Sequence, residues 1–217
     1  MKNLITKEFK LSFFPMPLVF LLLSALVLVP SYPYYVTFFY TSLGIFLLFQ
    51  SNRENHDIEY MMCLPIKKRD MVKSRFLHVI IIELAQVIIC IPFCVIRSMY
   101  AQMENPVGIE ANAAFLGFGL IMLALFNIVF LPMFYKTANK IGLPFLVSSI
   151  VMFFYIVIME VLLRIVPFMA NYCDTMAPET FGMQLIPLAL GIVIYAAITF
   201  FAYKRSAKHF EKLDLAF

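Results

Sequence analysis

Few side chains in this sequence could do chemistry, and most of them lie in apolar surroundings. Glu83 sits in the run Ile81-Ile82-Glu83-Leu84-Ala85-Gln86-Val87, with Gln86 three residues on and no basic residue within a helical turn. An ionisable group in such a run is costly to bury and marks a candidate functional position. Three readings of Glu83 stay open: contact with a ligand, pairing with a second chain, or a carboxyl that keeps its proton. Glu160 and Arg164 stand at i, i+4, a spacing that lets them neutralise each other on one helix face. Arg97, near the end of another apolar run, could join them. Asn127 reads as an interhelical hydrogen bond. His56, His78 and His209 show no metal-ligand spacing with Cys or with each other, and Cys90 and Cys94 at i, i+4 read as packing residues, so no metal site is expected. No G-x-S-x-G or H-E-x-x-H pattern occurs. None of the seven glycines is followed by Lys, so there is no phosphate-cradling loop.

The elements that position these residues must be membrane helices. Of the 217 residues, 63% are hydrophobic and 14% charged, with mean hydropathy +0.89, against an apolar share of about 45–50% in ordinary soluble domains. Seven Gly, twelve Pro and four Cys exclude a collagen-like chain, a disordered one and a disulfide framework. The expected fold is all-α: a polytopic membrane protein forming a single transmembrane domain over 1–217. Crossing a hydrocarbon core takes about 20 apolar residues of helix. Six such stretches occur, over approximately 11–29, 34–49, 76–96, 113–134, 143–163 and 183–203. The second is short and aromatic-rich, and Pro30-Ser31-Tyr32-Pro33 turns the chain between the first two.

Orientation follows from the basic residues, which favour cytoplasmic flanks. Of the 17 Lys and Arg, all but Arg97 and Arg164 fall before span one, between spans two and three, between four and five, or after six. Both termini are therefore expected in the cytoplasm. Lys2, Lys7 and Lys10 precede the first apolar run in the manner of a signal peptide, but no small-residue cleavage site follows, so the segment is expected to stay attached. Ile5, Phe9 and Phe13 recur at helical spacing, which suits a short N-terminal helix in the interface; a charged flank alone fits as well. On the opposite side Glu104, Glu110, Asp174 and Glu179 outnumber the two basic residues, leaving that face mildly acidic. Pro92, Pro132, Pro167 and Pro187 mark either bends or the ordinary tolerance of membrane helices for Pro.

The loop 50–75 is long and charged. Within it Asp57 is placed as an N-cap, and Ile58, Met61 and Met62 share one helical face before Pro65 restricts what precedes it. The pattern predicts a helix of under two turns within 57–66, too short to be stable alone in water and so in need of a surface to dock on. Paired Met side chains suit a contact surface that re-packs. Beyond Pro65, residues 67–75 should run as a basic helix into span three. The basic charges alone would also fit an anchor on anionic membrane lipid, although that leaves Met61, Met62 and Leu64 in a water-facing loop unexplained.

The run Leu64-Pro65-Ile66-Lys67-Lys68-Arg69-Asp70-Met71-Val72-Lys73-Ser74-Arg75-Phe76-Leu77, preceded by the acidic Glu54, Asp57 and Glu59, resembles the segment between spans two and three of bacterial ATP-binding cassette permeases of the type-two exporter class. Among these, the short permeases serving phenol-soluble modulin and antimicrobial-peptide export are the most similar. The resemblance covers about 24 residues by motif and the remainder by architecture alone. It implies a non-catalytic permease subunit in a bacterial cytoplasmic membrane, with no cofactor of its own and with ATP and Mg held by a separate ATPase subunit. It implies a coupling helix for that ATPase drawn from Asp57, Ile58, Glu59, Tyr60, Met61, Met62, Leu64 and Pro65. A second permease chain, identical or related, would complete a pathway for an amphipathic or antimicrobial-type peptide. Glu83, Arg97, Glu160 and Arg164 remain the candidate pathway or intramembrane charges, and no nucleic-acid partner is expected. Two other readings fit a small polytopic chain: a substrate-capture membrane subunit of a vitamin importer, and an intramembrane enzyme using Glu83 or Glu160.

Overall fold

A helix inside a bilayer satisfies its own backbone, so a chain this apolar and poor in Gly should be helical wherever it meets lipid. The computed structural model describes residues 4, 6–8, 16–100, 105–138 and 140–213, and no strand occurs among them. The elements are α1 (Met16–Leu22), continued as a 3-10 helix over Leu23–Leu28, α2 (Tyr35–Glu54), α3 (Asp57–Met62), α4 (Lys68–Tyr100), α5 (Ala113–Thr137), α6 (Gly142–Ile165) and α7 (Phe181–Glu211). A π-helical turn, Met169–Cys173, and a 3-10 turn, Pro178–Thr180, join the last two. Ile5, Phe9 and Phe13, on which the expected interfacial helix rests, lie outside the described residues, as do residues 11–15 of the first expected span and Glu104.

Among the described residues four helices are long and apolar enough to cross a membrane: Lys68–Tyr100, Ala113–Thr137, Gly142–Ile165 and Pro178–Glu211. The first two expected spans are not among them. The apolar part of the first covers only Leu18–Leu28 of the described residues. α2 is 20 residues long, but the polar Gln50, Ser51, Asn52, Arg53 and Glu54 fill its end. Its apolar stretch is therefore about 22 Å at about 1.5 Å per residue, short of a ~30 Å core.

α5 is the axis of the fold. Its membrane window is 78% buried, against 22% for α6. α2 packs its aromatic face on α5, with Phe38 beside Phe115 and Phe49 edge-on to Phe130 and Phe134. α7 approaches α5 so closely that a Cβ on Gly117 would overlap the Pro187 carbonyl, and one on Gly191 would overlap the Gly117 carbonyl. Small residues permit this contact and a larger side chain would push the helices apart. α6 and the outer faces of α4 and α7 turn Phe153, Phe154, Ile88, Ile192 and Val193 outward, which suits lipid.

The basic helix ends meet at one end of the bundle. Lys68 Nζ donates to the Leu213 carbonyl (2.7 Å), His209 Nδ1 lies 3.0 Å from the Pro132 carbonyl, and Phe76 packs between Tyr135 and Tyr203. At the other end the loops knit together. Asn112 caps α5 by accepting from the Phe115 N–H and donates to the carbonyls of Cys173 and Thr175. Glu110, 2% exposed, accepts from the Asn105 N–H, and the Glu110 N–H donates to Asp174. Two of the acids expected to make that face acidic are thus tied into it, while Glu179 is exposed.

Candidate functional site

α2 ends at Glu54, and the chain reverses through His56, whose left-handed φ of 51° turns it into α3. His56 Nδ1 lies 2.8 Å from Glu59 Oε2 across the first turn. The predicted short helix is present as six residues. Asp57, however, does not cap it: Asp57 is the first helical residue, and no side chain caps the end. Its two carboxylate oxygens are taken elsewhere, Oδ1 by Lys7 Nζ and Oδ2 by an Arg75 guanidinium nitrogen. Pairing with cations displaces a neutral cap because a largely buried carboxylate needs opposite charge beside it.

The apolar face of α3 also points inward. Met61 is 2% exposed and receives Lys7 Nζ at 3.0 Å from its sulfur, while Ile58 and Met62 are half-buried against the core. The surface left outside is made of Tyr60, Cys63, Leu64 and Pro65, with Glu59 half-buried. Tyr60 is 62% and Leu64 37% exposed. Packing of Met61 inside the chain supplies the docking that so short a helix requires.

Beneath α3 lies a group of buried charges. The Arg75 nitrogen that binds Asp57 also lies 3.3 Å from Glu8 Oε1, and His78 Nδ1 is 3.8 Å from Glu8 Oε2. Arg75 is 4% exposed, Glu8 0%, and the guanidinium carbon stands 5.5 Å above the Phe49 ring. Burial alone would raise the Glu8 carboxyl, but Arg75, the nearby His78 ring and the Lys7 ammonium outweigh it and bring it down to about 2. One guanidinium thus joins the N-terminal segment, α3 and α4. In the sequence Lys7, Glu8 and Arg75 are legible only as charge, since the partners of Arg75 lie 18 and 67 residues away.

Within the membrane portion Glu83 does have partners, on other helices. Tyr195 of α7 donates its hydroxyl to Glu83 Oε2 (2.6 Å), and Asn127 of α5 donates from Nδ2 to the same oxygen (2.8 Å). Asn127 Nδ2 is also 3.4 Å from Thr199 Oγ1. Asn127 is therefore the interhelical hydrogen bond expected of it. Gln86, which shares a face with Glu83, donates to Ser24 Oγ (2.9 Å). Glu83 Oε1 and Asn127 Oδ1 remain without a hydrogen bond in this buried cluster. Tyr195 and Thr199 give no sequence signal beyond a hydroxyl in an apolar run.

Glu160 and Arg164 do not meet. Arg164 donates to the Pro106 carbonyl (3.3 Å), and Glu160 turns to the 105–112 loop, where it is hydrogen-bonded to the Ile109 backbone and a Cβ on Gly108 would lie 2.7 Å from its Oε1. The backbone of that loop offers both side chains partners that outcompete an exposed i, i+4 ion pair of a few tenths of a kcal/mol. Arg97 is buried at the end of α4 and acts electrostatically on Tyr34. Glu160 and Arg164 brace the loop at the end of the bundle opposite α3, and the structure does not gather them or Arg97 with Glu83 into one site.

A family model described as ABC-2 family transporter protein matches residues 3–209. No curated protein and no solved structure matches the chain.

Proposed function

This chain belongs to the ABC-2 family of transporter proteins, and we propose that it is the permease subunit of an ATP-driven exporter whose α3 segment takes up the movement of a separate ATPase subunit. The family makes it a multi-pass transport subunit and implies an ABC ATPase partner; it does not favour the vitamin-importer or enzyme alternatives. In the proposed arrangement the chain crosses the membrane six times with both ends in the cytoplasm. Two permease chains enclose the pathway, ATP and Mg belong to the ATPase, and the cargo is an amphipathic peptide.

The observation that carries the proposal is the division of α3 into two faces. Asp57 and Met61 fasten it inward, while Tyr60, Cys63, Leu64 and Pro65 are exposed at the basic end of the bundle. An aromatic ring and an aliphatic side chain facing water on a rigidly held turn fit a socket in a partner. Movement of that socket passes through Asp57 and Arg75 into α4, and from α4 through Glu83 to α5 and α7. The coupling requires the ATPase to bind α3 differently in its two nucleotide states.

The test is co-purification of the tagged chain with its ATPase from native membrane. Tyr60→Asp with Leu64→Asp should abolish association while insertion and melting temperature stay as in wild type. Retained association with normal transport would overturn the proposal. Met61→Asp would not serve, because Met61 is packed inside the chain and its loss disturbs the fold.

A further inference from the structure

The Tyr195–Glu83 hydrogen bond holds α7 to α4, and on the basic side of that bond the two helices leave a groove of about 690 Å³. Leu77 and Ile80 line it from α4, and Ala196 and Phe200 from α7. Leu77 is 37% and Phe200 52% exposed, so the slot is open along its length. The mouth is different in character. Arg69 and Lys73, one turn apart on α4, line it together with Asp70, and Lys204 Nζ stands 4.5 Å above the Phe200 ring. Tyr203, Asp70 and Glu211 lie near Arg69.

An apolar slot between two membrane helices fills with hydrocarbon in preference to water. Cations at its mouth select what that hydrocarbon is attached to. Guanidinium and ammonium groups on one helix face bind phosphate oxygens through charge-assisted hydrogen bonds, and basic pockets between membrane helices suit anionic headgroups. A cationic amphipathic helix would meet like charge at the same place.

We infer that the α4–α7 groove binds one anionic phospholipid, its phosphate held by Arg69 and Lys73 and its acyl chain lying against Leu77, Ile80 and Phe200. The bound lipid ties α4 to α7 on the basic side of the Glu83 cluster. The inference needs only a membrane chain and is independent of cargo, transport direction and ATPase docking.

The experiment titrates the purified full-length chain in mild detergent with palmitoyl-oleoyl phosphatidylglycerol and with the phosphatidylcholine of the same chains, counting bound lipid by native mass spectrometry. The attraction of two basic residues for an anionic headgroup corresponds to roughly a thirtyfold preference for one phosphatidylglycerol. The R69Q/K73Q variant should bring the two lipids to parity. Ala196→Phe, which fills the slot and keeps the cations, should lose retention of both. Equal retention of the two lipids by wild type, or an unchanged preference in R69Q/K73Q, would overturn the inference. Displacement of the lipid by an equimolar cationic amphipathic peptide would also overturn it, reassigning the groove to cargo.

Discussion

Arg75 on α4 donates to the carboxylate of Asp57, the first residue of α3, and so fastens a six-residue helix to one of 33 residues. The same guanidinium faces Glu8, so its removal leaves two buried carboxylates without it at once. Arg75→Leu should cost about 3–5 kcal/mol, the range for breaking a buried pair from one side. Thermal unfolding in detergent measures the loss, and hydrogen exchange should show α3 amides losing protection before those of α5. Arg75→Lys keeps the charge without the fork and should fall between. An unchanged melting temperature in Arg75→Leu would mean that Lys7 and the packing of Met61 hold α3 without Arg75.

The Glu8 carboxyl gives that group of charges a pH signature. It is brought from its ordinary value of 4.5 down to about 2, against the effect of burial and chiefly by Arg75. A carboxyl depressed in the folded state contributes stability that is complete above its unfolded value and is lost as pH falls through the folded value. The contribution is on the order of 3 kcal/mol at about 1.4 kcal/mol per pH unit. The stability advantage of wild type over Glu8→Gln should therefore be constant above about pH 5 and shrink steadily toward about pH 2. A difference independent of pH across that window would show that Glu8 acts through packing.

What the sequence made legible is the part governed by local pattern. The expected spans 113–134, 143–163 and 183–203 appear as Ala113–Thr137, Gly142–Ile165 and Phe181–Glu211, because a continuous apolar run in lipid has no alternative to helix. The break around Pro65 and the basic helix running into span three follow from equally local rules. The partners of the charges are not legible. Asp57 reads as an N-cap from its neighbours, yet Lys7 lies 50 residues away and Arg75 18 away. Glu83 has no partner in its own helix, and Tyr195 is 112 residues distant. Met61 and Met62 look alike in sequence, and only the packed structure separates the buried one from the half-buried one.

The α5–α7 contact makes a second class of prediction. Gly191→Val places a branched side chain where Gly117 presents its carbonyl, and backbone cannot move aside as a side-chain end can. The expected loss is about 3 kcal/mol or more, at or above the upper part of the overpacking range, read as a lowered melting temperature and a smaller folded yield. Gly142→Ala is the control. No atom lies within 4 Å of a Cβ there, and the position is helical, so that substitution should be neutral or stabilising by up to about 1 kcal/mol. Equal effects at the two glycines would remove the close approach as the cause.

Glu83 can be probed without reshaping its surroundings, because Gln has nearly the same shape. Glu83 Oε2 accepts from both Tyr195 and Asn127, while Glu83 Oε1 and Asn127 Oδ1 have no hydrogen bond. The substitution Glu83→Gln keeps a carbonyl oxygen for the two donors and puts an amide NH2 in place of Oε1, in the cluster that holds the unbonded Asn127 oxygen. Its stability should lie within about 1 kcal/mol of wild type, because both existing hydrogen bonds keep their acceptor. Glu83→Ala leaves the Tyr195 hydroxyl and the Asn127 amide buried without that acceptor and should cost about 2 kcal/mol or more. Tyr195→Phe, which removes one donor and keeps the ring, should cost about 1 kcal/mol. Losses in unfolding free energy that rise from Glu83→Gln through Tyr195→Phe to Glu83→Ala would identify the Glu83 side chain as a neutral link between α4, α5 and α7. A loss in Glu83→Gln as large as in Glu83→Ala would instead mean that the link requires the charge, and would turn attention to the cation that answers it.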